Sequence, residues 1–229
     1  MILRRSACRF LRDQPTCPAV KICGLTDIEQ ALAIAAMGAD AIGVIGVEGT
    51  PRYVDDTPRR ALFSQLQQRF PALQRVWVVA DASETVLDAA LQGKGTPTVV
   101  QLHGGESPAQ CLALRKRHPR MRIWKALRLR TLDDLAAVEN YLESVDALLL
   151  DAWSPNQLGG TGHRLPLDWL AEAQLPLPWW LAGGISAEWI PELLERVSPD
   201  GLDASSRLEV SPGWKDLQKV NALLSAVRA

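Results

Sequence analysis

A strand, a turn and a capped helix recur eight times between Ala19 and the C-terminus, in units of roughly 25 residues. Alternating strands and helices imply parallel strand pairing with right-handed crossovers. Eight such units without a break predict an α/β fold, a single-domain (β/α)8 TIM barrel. A doubly wound open sheet also alternates, but it usually has fewer strands and a G-x-G-x-x-G turn after the first, where this chain has Gly24 alone.

The predicted strands are short apolar runs that end at polar or glycine-rich turns. They are Val20–Cys23, Ala41–Val47, Arg75–Val79, Thr98–Leu102, Arg122–Ala126, Ala147–Leu150, Trp179–Ala182 and Gly201–Asp203. Helices are predicted between them. Thr26-Asp27-Ile28-Glu29 matches a capping box and predicts the start of the first helix, and Ser107-Pro108 predicts the start of another. The last helix is predicted over Lys215–Val227.

Bulk composition is ordinary for a globular protein of 229 residues, with 47% hydrophobic and 22% charged residues. The net charge of −1 gives no basic footprint for nucleic acid. No apolar run approaches the roughly 20 residues that cross a bilayer, so no membrane partner is expected. The 4 cysteines form no C-x-x-C pair and the 3 histidines are scattered, which supports neither a disulfide scaffold nor a metal site. We expect a reducing, cytoplasmic location.

Residues 1–18 differ from the rest and are expected to form a flexible N-terminal extension ahead of a barrel domain at 19–229. Arg4, Arg5, Arg9 and Arg12 make this segment basic. The favoured interpretation is a disordered tail, or a start codon assigned too far upstream. A targeting peptide is the alternative, although Asp13 is out of place in a transit peptide and no apolar core of secretory length is present.

The first predicted strand carries an unusual pair of side chains. Strand alternation places Lys21 and Cys23 on one face and Val20 and Ile22 on the other, so a charge and a thiol share the inward face. Active sites of such barrels lie at the carboxyl ends of the strands, where Cys23 and Asp151 both fall. Either residue alone has a structural interpretation, a buried thiol or a loop cap. Together they could exchange protons with a molecule held between them.

Two loops near the end of the chain predict a phosphate site. Ala182-Gly183-Gly184 follows the seventh strand and Asp203-Ala204-Ser205-Ser206 follows the eighth, where barrels of this kind recurrently bind phosphate. Glycines let backbone N–H groups approach an anion, and a following helix start adds partial positive charge. Either loop alone could be a tight turn or a helix cap. The pair together indicates a phosphorylated small-molecule substrate.

Two further residues are candidate substrate ligands. Arg52 follows the second strand and could bind a carboxylate through two parallel hydrogen bonds. The alternative is that it is a solvated loop arginine. His103 ends the fourth strand, where it either hydrogen-bonds within the barrel mouth, which is favoured, or touches the ligand. Both remain among the substrate-binding candidates, together with Asp203.

With these residues assembled, the chain resembles the phosphoribosylanthranilate isomerase family of tryptophan biosynthesis. The resemblance covers Ala19 to the C-terminus and rests on motifs in family order and spacing. They are Lys21-Ile22-Cys23-Gly24, Thr50-Pro51-Arg52-Tyr53-Val54, Val100-Gln101-Leu102-His103-Gly104, Leu149-Leu150-Asp151, Gly159-Gly160-Thr161-Gly162, Leu181-Ala182-Gly183-Gly184-Ile185, Gly201-Leu202-Asp203-Ala204-Ser205-Ser206 and Pro212-Gly213-Trp214-Lys215-Asp216.

The resemblance implies an Amadori rearrangement of an aminoaldose phosphate to an aminoketose phosphate without cofactor or metal. It implies that Asp151 is the general acid that opens the furanose ring and Cys23 the general base that removes the C2′ proton. The thiolate then needs local stabilisation, for which Lys21 and Asp203 are candidates. Arg52 is implied as the ligand of the anthranilate carboxylate. The implied phosphate ligands are Gly183, Gly184, Ser205 and Ser206.

Two departures from the family pattern affect the expected pocket. Thr50 stands where the family usually has serine, and Asp81 stands after the third strand, where asparagine is more frequent. Asp81 would disfavour an anionic substrate unless it points away. Competing hypotheses are a neighbouring phosphate-binding barrel, of the indole-glycerol-phosphate synthase or ribulose-phosphate epimerase type, and a non-catalytic ligand-binding barrel. A monomer is expected, because no apolar stripe stands out.

Overall fold

The computed structural model describes residues 17–154, 162–171, 173 and 175–229, and in these residues eight parallel strands close into a barrel in chain order. Strand β8 pairs with β1 to close the ring. The predicted (β/α)8 barrel is confirmed. The strands are β1 Ala19–Cys23, β2 Ala41–Ile45, β3 Gln74–Val79, β4 Val99–Leu102, β5 Arg122–Leu129, β6 Ala147–Ala152, β7 Trp179–Ala182 and β8 Gly201–Ala204.

Helices fill the connections and cover the barrel. The α-helices are α1 Ile28–Ala36, α2 Asp56–Arg69, α3 Glu84–Ala90, α4 Pro108–Arg117, α5 Leu167–Ala171, α6 Ile190–Arg196 and α7 Leu217–Arg228, and shorter 3-10 helices span Leu132–Tyr141, Ala187–Trp189 and Ser206–Leu208. Within the part of the chain that is described, none of them is long and apolar enough to cross a membrane. The expectation for residues 1–18 lies outside the described residues, apart from Cys17 and Pro18.

Apolar packing fills the barrel at the amino-terminal ends of its strands. Trp124 and Trp180 point inward, with ring centroids 4.6 Å apart. Gly201 leaves room for them, because a Cβ there would lie 2.3 Å from Cε3 of Trp180. On the outward face of β1, Val20 and Ile22 are fully buried against the helices, as strand alternation predicts. The polar inward residues are therefore concentrated toward the opposite, carboxyl end.

Two helix starts differ from the sequence-based prediction. Asp27, not Thr26, caps α1 by accepting a hydrogen bond from the Gln30 N–H at 2.9 Å. The Thr26 hydroxyl is used elsewhere and donates to the Gly213 carbonyl at 3.0 Å. The last helix begins at Leu217 rather than Lys215, because a hairpin of β9 Glu209–Ser211 and β10 Trp214–Lys215 precedes it.

Candidate active site

A cavity of about 420 Å³ opens at the carboxyl ends of the strands. Its walls come from the ends of β1, β4, β6 and β8 and from the loops after β2, β7 and β8, as expected for a barrel of this kind. Every residue predicted for the site contributes to its lining: Cys23, Arg52, His103, Asp151, Gly183, Gly184, Asp203, Ser205 and Ser206. The fold thus brings together all the predicted candidates, although they are spread over most of the chain.

Cys23 lies at the mouth of β1, directly above a buried lysine. The side chains of Cys23 and Lys21 share the inward face, since a Cβ placed on Gly43 of β2 would meet Sγ of Cys23 at 2.7 Å and Cε of Lys21 at 2.8 Å. The Lys21 ammonium donates to Asp203 Oδ2 at 2.8 Å and to Gln101 Oε1 at 2.7 Å. The shared face predicted for Lys21 and Cys23 is confirmed, and Gly43 is what makes room for both side chains.

The thiol of Cys23 is subject to opposing electrostatic effects. Burial raises its pKa above the ordinary value of 9.0, while the positive charges of Lys21 and Lys215 lower it. The expectation that Asp203 helps to stabilise the thiolate is wrong, because its negative charge raises the pKa of Cys23 further. Burial prevails, so the thiol is mostly protonated at neutral pH. The expected local stabilisation of the thiolate by Lys21 is therefore present but partial, and Lys215 contributes a second cation that was not expected.

Asp151 lies on β6, three strands from β1 around the ring through β7 and β8. Burial, together with the nearby charge of Asp203, raises the pKa of Asp151 to about 7. One carboxylate oxygen, Oδ1, accepts a hydrogen bond from the Ala152 N–H at 2.9 Å. A carboxyl group with such a pKa carries a proton in a large share of molecules at neutral pH, as a general acid requires.

His103 is neutral and oriented by Gln101. Burial, followed by the charges of Lys21, Lys125 and Arg128, lowers its pKa to about 3. Because Gln101 Oε1 accepts from Lys21, its amide nitrogen faces His103 Nδ1, at 3.0 Å. The proton of the imidazole therefore resides on Nε2, which lies 3.7 Å from Asp151 Oδ2 and has no hydrogen-bond partner among the described residues. His103 presents a free N–H beside Asp151.

Arg52 lines the cavity but is also held by a carboxylate that sequence reasoning missed. Its Nε and Nη2 donate to Glu209 Oε1 and Oε2 at 2.8 and 2.6 Å. Glu209 belongs to the β9–β10 hairpin and also accepts from Lys215 Nζ at 2.6 Å. These charge-assisted bonds lower the pKa of Glu209 to about 2 despite its burial. Arg52 is thus not a solvated loop residue.

The predicted phosphate loops follow neighbouring strands, since Ala182 of β7 is the register partner of Asp203 of β8. Gly183 and Gly184 have φ angles of 92° and 67°, and a Cβ on Gly183 would lie 2.3 Å from the carbonyl oxygen of His163. The Ser205 hydroxyl donates to the Cys23 carbonyl at 3.0 Å, so it ties the β8 loop to β1. Only glycine is accommodated at position 183, and the backbone of this loop is left open to the cavity.

An unpredicted arginine lines the same end of the cavity. Arg207 follows Ser206 and donates to the carbonyl of Gly162 at 3.3 Å. No carboxylate pairs with its guanidinium within the described ranges. Gly162 is the described end of the glycine-rich loop singled out in the sequence. The other loop residues, 159–161, lie outside the described residues.

Asp81 points away from the cavity. It adopts a φ of 51°, and its Oδ1 accepts a hydrogen bond from the Gly105 N–H at 2.7 Å. Asp81 is absent from the cavity lining. Its carboxylate therefore fixes the loop after β4, and the departure from the family pattern places no negative charge in the pocket.

The closed barrel and the acid, thiol and arginine at its mouth define the class, a (β/α)8-barrel enzyme acting on a small molecule. Residues 20–226 match the family model described as N-(5′-phosphoribosyl)anthranilate (PRA) isomerase. The chain belongs to this family of isomerases, and the resemblance predicted from the sequence is confirmed.

Relatives and solved structures of the same name agree over nearly the whole chain. The N-(5′-phosphoribosyl)anthranilate isomerase of Synechococcus elongatus is 45% identical over 208 residues, covering 91% of this chain and 95% of the relative. The crystal structure of phosphoribosyl anthranilate isomerase from Thermotoga maritima superposes with a TM-score of 0.81 at 30% identity, covering 92% and 98% of the two chains. A phosphoribosyl anthranilate isomerase in complex with reduced 1-(o-carboxyphenylamino)-1-deoxyribulose 5-phosphate superposes with a TM-score of 0.74 at 27% identity, covering 92% and 98%.

Proposed function

We propose that this chain converts N-(5-phosphoribosyl)anthranilate into 1-(2-carboxyphenylamino)-1-deoxyribulose 5-phosphate in L-tryptophan biosynthesis. Membership of the family supports this activity. The observation that carries the assignment of roles is that Asp151, with a pKa of about 7, and Cys23 line one cavity from separate strands. An acid and a base on different sides of a bound sugar are what an aldose–ketose rearrangement requires.

Asp151 acts first in the proposed mechanism. Its proton goes to the furanose ring oxygen as the bond from that oxygen to C1′ breaks, and the anthranilate nitrogen forms a protonated Schiff base with C1′. The raised pKa makes this transfer feasible at neutral pH. The Nε2–H of neutral His103 lies beside Asp151 and is proposed to donate to a sugar oxygen or to the carboxylate left behind.

Cys23 acts second. Its thiolate removes the proton from C2′, and the bonding electrons neutralise the Schiff base to give an enolamine. The enolamine becomes the ketose when its C2′ hydroxyl loses a proton and C1′ gains one. Cys23 has then taken up the proton equivalent that Asp151 released, so protons balance over the cycle. No cofactor or metal is needed for these steps.

The two ends of the substrate are proposed to bind opposite sides of the cavity. Arg52 pairs with the anthranilate carboxylate, and Asp203, at the base of the cavity, is proposed to contact the sugar hydroxyls. The phosphate is held by backbone groups of the β7 and β8 loops. The residues assigned to it are Gly183, Gly184, Ser205 and Ser206.

The direct test is the fluorescence decrease as phosphoribosylanthranilate, formed in situ, is consumed by the purified chain, with Cys23→Ala as the blank. Turnover by wild type and none by the variant is the expected result. A wild-type protein that binds the reduced product but shows no turnover would be a non-catalytic binding barrel, and the proposed function would be wrong.

Three broader expectations belong to the same proposal. The barrel domain is taken to be 19–229, and a reducing cytoplasmic location is supported by the free state of Cys17, Cys23 and Cys111. A monomer is proposed, and light scattering of the eluting protein tests it. One structural relative consists of monomers generated from the dimeric phosphoribosylanthranilate isomerase of Thermotoga maritima, so a dimer is the outcome that would correct this proposal.

A further inference from the structure

The guanidinium of Arg52 has two sides, and only one of them is occupied. A guanidinium carries five N–H donors in a rigid fork, with one edge at Nε and Nη2 and another at Nη1 and Nη2. Glu209 takes the first edge through two short hydrogen bonds. Nη1 makes no hydrogen bond in the described part of the chain. The second edge is therefore free.

The occupied edge of Arg52 is held by a residue that lies outside the cavity lining. Arg52 lines the cavity, whereas Glu209 does not. Side-chain exposure is 12% for Arg52 and 6% for Glu209, so both groups are largely removed from water. On the other side, Arg52 lies across the backbone of Gly24, where an added Cβ would meet its Cδ at 2.6 Å. Arg52 is thus held by Glu209 on one edge and by the backbone of Gly24 along its side chain.

Glu209 does not cancel the positive charge of this region, because it is shared between two cations. Its Oε1 accepts from Lys215 Nζ at 2.6 Å and from the Gly213 N–H at 3.1 Å as well as from Arg52. One carboxylate between an arginine and a lysine leaves the cluster with a net charge of +1. A second carboxylate placed on the free edge of Arg52 would neutralise it.

We propose that Glu209 is a positioning residue for Arg52, holding its Nε–Nη2 edge so that the Nη1–Nη2 edge is presented to the carboxylate of the substrate. The inference rests on the proposed function, because it takes the anthranilate carboxylate as the group that Arg52 binds. An arginine held in its binding orientation before the ligand arrives loses less side-chain freedom on binding. The same bond would weaken binding if Glu209 merely competed with the substrate for Arg52.

A pair of ligands separates these roles without turnover. The first is reduced 1-(o-carboxyphenylamino)-1-deoxyribulose 5-phosphate, and the second is its counterpart made from aniline, which lacks the carboxylate. Calorimetry gives the dissociation constant of each. For Glu209→Gln we expect about a tenfold loss of affinity for the carboxylate ligand and less than about a twofold change for the aniline ligand.

Two variants serve as controls. Glu106→Gln removes a carboxylate that is equally buried and paired with Lys125 at 3.0 Å, but that lies outside the cavity lining, and should affect both ligands alike. Arg52→Gln should abolish the difference in affinity between the two ligands, and adding Glu209→Gln to it should cause no further loss. Glu209→Asp, which keeps the charge facing Lys215, should give an intermediate loss and serves if the glutamine variant does not fold.

The outcomes are distinct. Equal losses for both ligands in the Glu209 variants would make Glu209 a structural residue only and overturn the inference. A gain in affinity for the carboxylate ligand would mean that Glu209 competes for Arg52, and would overturn it as well. If neither ligand bound wild type, the proposed function itself would fail, and the inference with it.

Discussion

The ammonium of Lys21 lies 2.8 Å from Asp203 Oδ2 across the seam where β1 and β8 close the barrel. The two residues are register partners, so the ion pair is part of the strand pairing that completes the ring. Lys21 is fully buried, and although burial lowers its pKa, Asp203 and Cys23 together outweigh this and raise the pKa above its ordinary value. Asp203 Oδ1 has no hydrogen-bond partner among the described residues. The pair therefore links barrel closure to the floor of the active site.

Replacing Lys21 by Met should be strongly destabilising, because it leaves the Asp203 carboxylate buried without its counter-charge. The expected loss is about 3–5 kcal/mol in the free energy of unfolding, measured by urea denaturation at pH 7.5. The loss should shrink at low pH, where Asp203 can be protonated. The double variant Lys21→Met/Asp203→Asn should recover part of the stability. A cost below about 1 kcal/mol would show that the pair is not a structural requirement.

Replacing Asp151 by Asn should abolish activity and stabilise the protein at alkaline pH. The carboxyl pKa rises from 3.8 to about 7 on folding, so the folded state binds the proton more tightly and stability falls as pH rises between these values. Asparagine is neutral throughout. We expect nearly equal unfolding free energies near pH 4 and an advantage for the variant on the order of 4 kcal/mol at pH 8, by urea denaturation. An advantage that is the same at both pH values would contradict the role of ionisation.

The pH dependence of turnover should reflect the small fraction of molecules in which Asp151 is protonated while Cys23 is ionised. The mechanism needs protonated Asp151 and ionised Cys23, yet the pKa of Asp151 is about 7 and that of Cys23 lies above 9.0. Between the two pKa values, the loss of protonated Asp151 with rising pH balances the gain of the Cys23 thiolate. Below about pH 7 only the thiolate fraction changes, so kcat/KM should fall about tenfold per pH unit. Cys23→Ala should lower kcat by at least about 10³-fold. A rate that rises toward acid pH would refute Cys23 as the base.

The fold was predictable because alternating strand and helix patterns are local. The placement of the nine candidate residues around one cavity was predictable as well, because strand ends in a barrel converge. The partners of those residues were harder to foresee. Glu209 meets Arg52 across 157 positions because the β9–β10 hairpin brings Glu209 against the loop after β2. Gln101 offered a signal, since its spacing of two from His103 puts both side chains on the inward face of β4.

Local rules failed where a distant partner competed for the same group. Thr26 had the sequence signature of a helix cap, but its hydroxyl bonds to Gly213, which is 187 positions away. Asp27 takes over the cap. The position of Cys23 at the end of a strand in the sequence likewise predicted that it lies at the barrel mouth. Its pKa could not be predicted in this way, because it depends on burial and on Lys215 from the far end of the chain. Patterns within one element predict where a side chain lies, but not which groups surround it.

Replacing Gly43 by Ala should impair catalysis more than folding. The added methyl group would lie 2.7 Å from Cys23 Sγ and 2.8 Å from Lys21 Cε, so both side chains must shift. We expect kcat to fall at least about tenfold, with a stability cost of about 1–3 kcal/mol. Gly105→Ala is the matched control, because its nearest contact would be an ordinary 3.5 Å from Asp81. Unchanged kcat in Gly43→Ala would mean that the position of the thiol is not critical.

Arg207 and Arg164 offer a paired test of the phosphate end of the cavity. Arg207 lies near Gly162 and Arg164 lies near Gly184. Arg207 lines the cavity, whereas Arg164 is stacked 4.3 Å from the ring centroid of Trp189 and lies outside the lining. Arg207→Gln should raise the inhibition constant of inorganic phosphate and the KM about tenfold, since a charge-assisted bond to the phosphate is lost, with little change in kcat. Arg164→Gln removes the same charge from the surface and should change neither value by more than about twofold. Equal effects of both substitutions would show that Arg207 acts only through the overall charge of the surface. If neither substitution had an effect, the backbone of the β7 and β8 loops would bind the phosphate without Arg207.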